Sequence, residues 1–99
     1  MFAIARFSVP LAQASDFRTA LERAHEALAN CAGFISGDTG RNLDDPTLWV
    51  LMTTWKDVGS YRRALSSTEV KMRAVPLLAQ AIDEPGAYHN DASEGTFTA

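Results

Sequence analysis

Two side chains of this 99-residue sequence, His25 and Tyr61, carry chemistry suited to moving or steadying a proton. An imidazole titrates near neutrality and can act as a general base, while a phenol can donate a hydrogen bond to a phenolate. At about 100° per residue, His25 falls to one side of the apolar helical stripe Phe17, Ala20, Leu21, Ala24, Leu28 and Cys31, so it suits either a pocket wall or a half-exposed surface. Trp55, Trp49 and Tyr61 can clamp a flat aromatic ligand, although a tryptophan is equally fitted to anchor a core. Trp49 and Trp55 share a strand parity and point to one face, where Trp49 would serve as well in a subunit interface. Arg6 stands mid-strand among apolar residues, a costly place for a charge unless an ion-pair partner or a polar cavity meets it. Met52 and Met72 suit adaptable pocket walls or ordinary core filling. Lys71 and Arg73 can steer an anionic substrate or simply form a solvated helix face.

The elements that must hold these residues follow from pattern. Phe2 to Val9 mixes β-formers with alanine and stops at Pro10, which reads as a first strand. Ser15-Asp16 then offers an N-cap for a first helix, closed by Gly33. Phe34 to Asn42 reads as a glycine-interrupted strand, and Asp44-Asp45-Pro46 as a turn. Leu48 to Trp55 is the most apolar run and does not alternate, so both of its faces must be covered. One helical layer covers only one face of a sheet, and the chain has too few strands for a second sheet, so a partner subunit is the economical cover. Asp57 caps a second helical arm that Ser66-Ser67-Thr68 interrupts, Glu69 restarts and Pro76 kinks or restarts. Ala87-Tyr88-His89 forms a short last strand. The order βαββαβ is the split-βαβ, ferredoxin-like arrangement, an α+β fold with an antiparallel sheet and helices on one face. One domain over 1–89 and a loose tail over 90–99 are expected.

Composition limits the function. Hydrophobic residues at 46% and charged ones at 21% fit a folded chain, and a formal net charge of −3 with scattered Arg and Lys supplies no basic stripe for nucleic acid. The apolar opening is too short for a leader or a membrane span, so a cytoplasmic protein with no membrane partner is expected. Cys31 is the single cysteine, and with His25 and His89 it makes no zinc-ligand spacing, so no metal is expected. A core this small is marginal alone, and homodimerisation is the remaining remedy.

The run Asp44-Asp45-Pro46-Thr47-Leu48-Trp49-Val50-Leu51-Met52-Thr53-Thr54-Trp55-Lys56-Asp57, followed by Tyr61 and Leu65, resembles the antibiotic biosynthesis monooxygenase family, as does Ala32-Gly33-Phe34 before the second strand. The likeness runs in order from about residue 2 to 89. It implies a dimeric α+β barrel, with a pocket between sheet and helices in each subunit. Activities in that superfamily include cofactor-independent oxygenation of polycyclic phenols to quinones, haem degradation and isomerisation of small molecules. Counting from Trp55, Ala64 and Arg73 stand where haem-degrading relatives carry a tryptophan and a histidine ligand, so haem breakdown is disfavoured. Many other members place a histidine before a lysine in the second helix, where Glu69 precedes Lys71 here.

The resemblance therefore implies a cofactor-free monooxygenase acting on a small aromatic, phenolic or quinone-type metabolite. Such an enzyme needs a base, a group to hold the oxyanion and dry walls. His25 and Tyr61 are the expected catalytic pair, with Trp55, Trp49, Arg6, Met52 and Met72 as expected substrate contacts. The rival is a non-catalytic ligand-binding or stress-related dimer that keeps the barrel without the chemistry.

Overall fold

Alternation along two strands decides which way the sheet faces. In the computed structural model, which describes residues 1–91, β1 (Phe2–Ser8) buries Ala3 and Phe7 while Arg6 and Ser8 stay exposed. The third strand, β3 (Leu48–Trp55), buries Trp49, Leu51, Thr53 and Trp55. The two strands pair antiparallel with Ala3 opposite Thr53, Ala5 opposite Leu51 and Phe7 opposite Trp49, so their buried sides coincide. β2 (Phe34–Arg41) flanks β3, and β4 (Ala87–Tyr88) flanks β1, giving the antiparallel order β2-β3-β1-β4. With the helices this is the α+β ferredoxin-like fold.

Helix α1 (Ala14–Ala29), rich in alanine, leucine and other good helix formers, lays Phe17, Leu21, Ala24, Ala27 and Leu28 against the sheet. It starts at Ala14 rather than at a Ser15 cap. A 3-10 turn over Leu11–Gln13 delivers the chain already coiled, and Gln13 gives no side-chain cap. The helix ends at Ala29, and Gly33, at φ +87°, comes four residues later. A side chain at Gly33 would collide with Ser60 in the next helix, so only glycine lets the chain leave α1 and enter β2 at this closeness.

The second arm is three short helices. Asp57 caps α2 (Val58–Ser66), its carboxylate accepting from the Ser60 amide at 2.7 Å. Ser67 takes an extended backbone that ends α2 and caps α3 (Thr68–Arg73), while Pro76 sits in the first turn of α4 (Val75–Leu78). Phe7, Leu21, Trp55 and Val70 are the largest fully buried side chains, so the core lies between the buried side of the sheet and these helices.

The other side of the sheet carries Phe2 and Ile4 paired with Thr54 and Met52, then Val50 and Leu48. Tyr88 stacks on Phe2 at 5.4 Å, and Ile35 is 62% exposed. The chain's amino terminus donates to Asn90 Oδ1, and the rest of the expected tail, beyond Asp91, lies outside the described residues. No described helix is long and apolar enough to cross a membrane.

Candidate functional site

Tyr61, in the first turn and a half of α2, is where three cavities of this chain meet. It is half-buried, its ring lies 5.6 Å from that of Trp55 across a 58° tilt, and it walls three adjoining spaces. One of about 380 Å³ is shared with Met1, Leu65, Tyr88 and His89. Another, of about 510 Å³, runs between α4 and the edge of β1, past Ile4, Leu65, Leu78, Ile82 and Glu84. The third, of about 30 Å³, lies inward, over Ala3, Leu51 and Thr53. Burial pushes the Tyr61 phenol above its ordinary titration range, so at neutral pH it is a donor and not a base. Its position is set by the Asp57 cap and by the contact of Gly33 with Ser60, one residue before it.

Trp55 is 1% exposed and donates its indole N–H to the Thr53 hydroxyl at 2.8 Å. Phe34 stands edge-on to it at 5.3 Å, and the His25 ring lies 6.1 Å beyond Phe34, over Gly37. The sequence candidates His25, Trp55 and Tyr61 thus belong to one aromatic row, with Phe34 between the first two. His25, however, lines none of the three spaces around Tyr61. The histidine that does is His89, brought to the same 380 Å³ space as Tyr61 by the pairing of β4 with β1.

The remaining candidates are dispersed. Trp49 faces the helices, not the open side of the sheet, and is 6% exposed. The Arg18 and Arg41 guanidinium carbons lie 5.3 and 4.6 Å from its ring centroid, Phe17 meets it at 5.4 Å, and its indole N–H has no partner among the described residues. Arg6 lies on the open side and makes a two-pronged ion pair with Glu84, at 2.7 and 2.6 Å, which answers the cost of a charge in mid-strand within the chain itself. The pair raises the Arg6 pKa and holds the Glu84 carboxyl below its ordinary range. Met52 is on the open side, and Met72, 72% exposed, borders a separate cleft beside Arg23 and Gln80. Arg73 is engaged by Glu26 at 3.3 Å and Glu69 at 3.7 Å. Among the described residues no group of three or more His, Cys, Asp or Glu could hold a metal ion.

A family model described as antibiotic biosynthesis monooxygenase matches residues 1–72, from β1 through most of α3. The chain belongs to the antibiotic biosynthesis monooxygenase family. Among solved structures it is similar to SnoaB, a cofactor-independent oxygenase from Streptomyces nogalater, at 27% identity over 90% of each chain with a TM-score of 0.76. It shares its fold with a conserved protein of Methanosarcina mazei Go1, at 22% identity over 87% of this chain and 84% of that one, TM-score 0.71. The fold is also that of Rv0793 from Mycobacterium tuberculosis, at 19% identity over 87% and 86% of the two chains, TM-score 0.68. No curated protein matches the chain. The monooxygenase family match holds Trp55 and Tyr61 but stops short of α4 and β4, so Leu78, Ile82, Glu84 and His89, which finish the walls around Tyr61, lie beyond it.

Proposed function

We propose that this monooxygenase-family protein is a cofactor-independent oxygenase that converts a small phenolic or anthrone-like metabolite to a quinone in the space beside Tyr61. The observation that carries the reading is a phenol kept protonated by burial, walling two substrate-sized cavities and backed by Trp55. A substrate of this class loses a proton to a base, and the resulting anion is electron-rich enough to reduce dioxygen directly. For an anthrone, the ring methylene becomes a carbonyl, one oxygen atom enters the product and the other leaves as water with the two methylene hydrogens. Tyr61 donates to the substrate oxyanion. His89 is the base, because it shares a cavity with Tyr61; His25 lies behind Phe34 and is given a packing role. Trp55 supports the ring of Tyr61 from below.

The working form is a homodimer joined through the open side of the sheet. Phe2, Ile4, Leu48, Val50 and Met52 make that side apolar, as an interface requires. The test is an aerobic screen of the purified protein against anthrones, naphthols and hydroquinones, read by oxygen uptake with wild type beside Tyr61→Phe. Uptake by wild type that is lost in the variant is the expected result. Ligand binding without oxygen uptake across the whole panel would overturn the reading and leave a binding protein.

A further inference from the structure

We propose that the small cavity beneath Tyr61 is the docking site for dioxygen. Its cause is legible in the strands. On the buried side of the sheet β1 places Ala3 and Ala5 opposite Thr53 and Leu51, whereas the next residue on that side is Phe7. Two methyl groups where larger side chains would fit leave a dish in the sheet, which Leu28 of α1, Tyr61 of α2 and Leu78 of α4 roof over. Interiors are packed closely enough that a void of water size needs a reason.

The volume, about 30 Å³, is room for one or two molecules of water size, each needing about 10–15 Å³, so it admits a diatomic molecule and excludes an aromatic ring. The lining residues are aliphatic except for Thr53 and Tyr61. A buried water wants two to four polar partners, and the polar side chains here are two, the Thr53 hydroxyl, which already accepts the indole N–H of Trp55, and the Tyr61 phenol. Dioxygen needs none, and apolar cavities that stay dry are known to hold apolar guests such as xenon. Ile4, Ala5, Tyr61 and Leu78 wall both this cavity and the 510 Å³ cleft, so the two spaces adjoin across these side chains. A gas molecule held there lies next to an aromatic ring held in the cleft, with Tyr61 in the wall of both spaces. The inference rests on the oxygenase reading for its purpose, but its test does not.

Dioxygen is paramagnetic and speeds the relaxation of protons near the place where it docks. Methyl relaxation in the full chain is measured by NMR under raised oxygen pressure. The methyls of Ala3, Leu28 and Leu51 are expected to relax several-fold faster than those of Leu21 and Val70, which are as deeply buried elsewhere in the core. Ala3→Val, which fills the small cavity without touching the large one, should remove the difference and raise the KM for oxygen several-fold while leaving the KM for the organic substrate unchanged. Equal enhancement at both sets of methyls in wild type overturns the proposal, as does a long-lived water contact at Leu51 that persists under oxygen. Docking without turnover would sink the oxygenase reading and leave this site standing; turnover without docking would do the reverse.

Discussion

The Trp55 indole N–H and the Thr53 hydroxyl, two residues apart on the same side of β3, are joined at 2.8 Å with both side chains buried. Thr53→Val keeps the shape of the strand but orphans the indole donor in the core. The expected loss is about 1–3 kcal/mol, read from urea unfolding, with Thr53→Ser recovering most of it. An unchanged midpoint for the valine variant would show that the bond carries no stability.

Tyr61→Phe removes the donor and keeps the ring. Turnover of a phenolic substrate is expected to fall about 10²-fold, the usual worth of one oxyanion donor, with the fold intact by circular dichroism. Because burial favours the neutral phenol, the wild-type minus variant difference in tyrosinate absorbance should show a group ionising above the ordinary 10.0. The sign for stability follows. Folding loses support from this group as pH rises past 10.0, because there the unfolded phenol ionises first.

The two histidines separate cleanly. His89→Ala is expected to lower turnover by about 10² to 10⁴, as loss of a general base does. His25→Ala should leave turnover in place. The opposite pattern in steady-state rates would return the base to α1.

Val50→Asp or Met52→Asp, on the open side of the sheet, should break the dimer at a cost of several kcal/mol, since an unpaired charge would be buried in the joint. Sedimentation should then show a folded monomer. Trp49, which by sequence could equally sit in a subunit interface, and Leu51 both face the helices, so a charge there is expected to unfold the subunit itself. A Val50→Asp protein that stays dimeric would place the joint elsewhere.

Glu84 titrates below its ordinary 4.5 because Arg6 donates to it twice and adds its charge. Its contribution is therefore complete above 4.5 and fades as pH falls through the lowered folded value. In Glu84→Gln the thermal midpoint should depend less steeply on pH in that acid window, and added salt should narrow the gap between variant and wild type. Identical acid limbs would mean that the pair adds nothing to folding.

Local chemistry is what the sequence makes legible. Each break in the second arm is made by a side chain on the spot, Asp57 capping α2, Ser67 ending it and Pro76 opening α4, and all three are readable in advance. The parity of β3 is not, because Leu48, Val50 and Met52 on one side are as apolar as Trp49, Leu51 and Trp55 on the other. The partner of Arg6 is hidden by 78 residues of chain. The place of His89 depends on a strand of two residues finding Phe2 and Ala3, and nothing in the composition of Ala87-Tyr88-His89 says which neighbours that brings. Tyr61 and Trp55 are legible because the cap, the strand end and the helix start all lie within seven residues of one another.

The placement of the two tryptophans gives the molecule a built-in optical gauge. Trp55 touches Tyr61 at the cavity, whereas Trp49 lies about 20 Å along the same strand between two guanidinium groups. A quinone formed beside Tyr61 absorbs where indole emits, so it should dim Trp55 by energy transfer far more than Trp49. Replacing Trp49 with phenylalanine would leave a single emitter at the reaction site, and product appearance and release could then be followed in real time without any added dye.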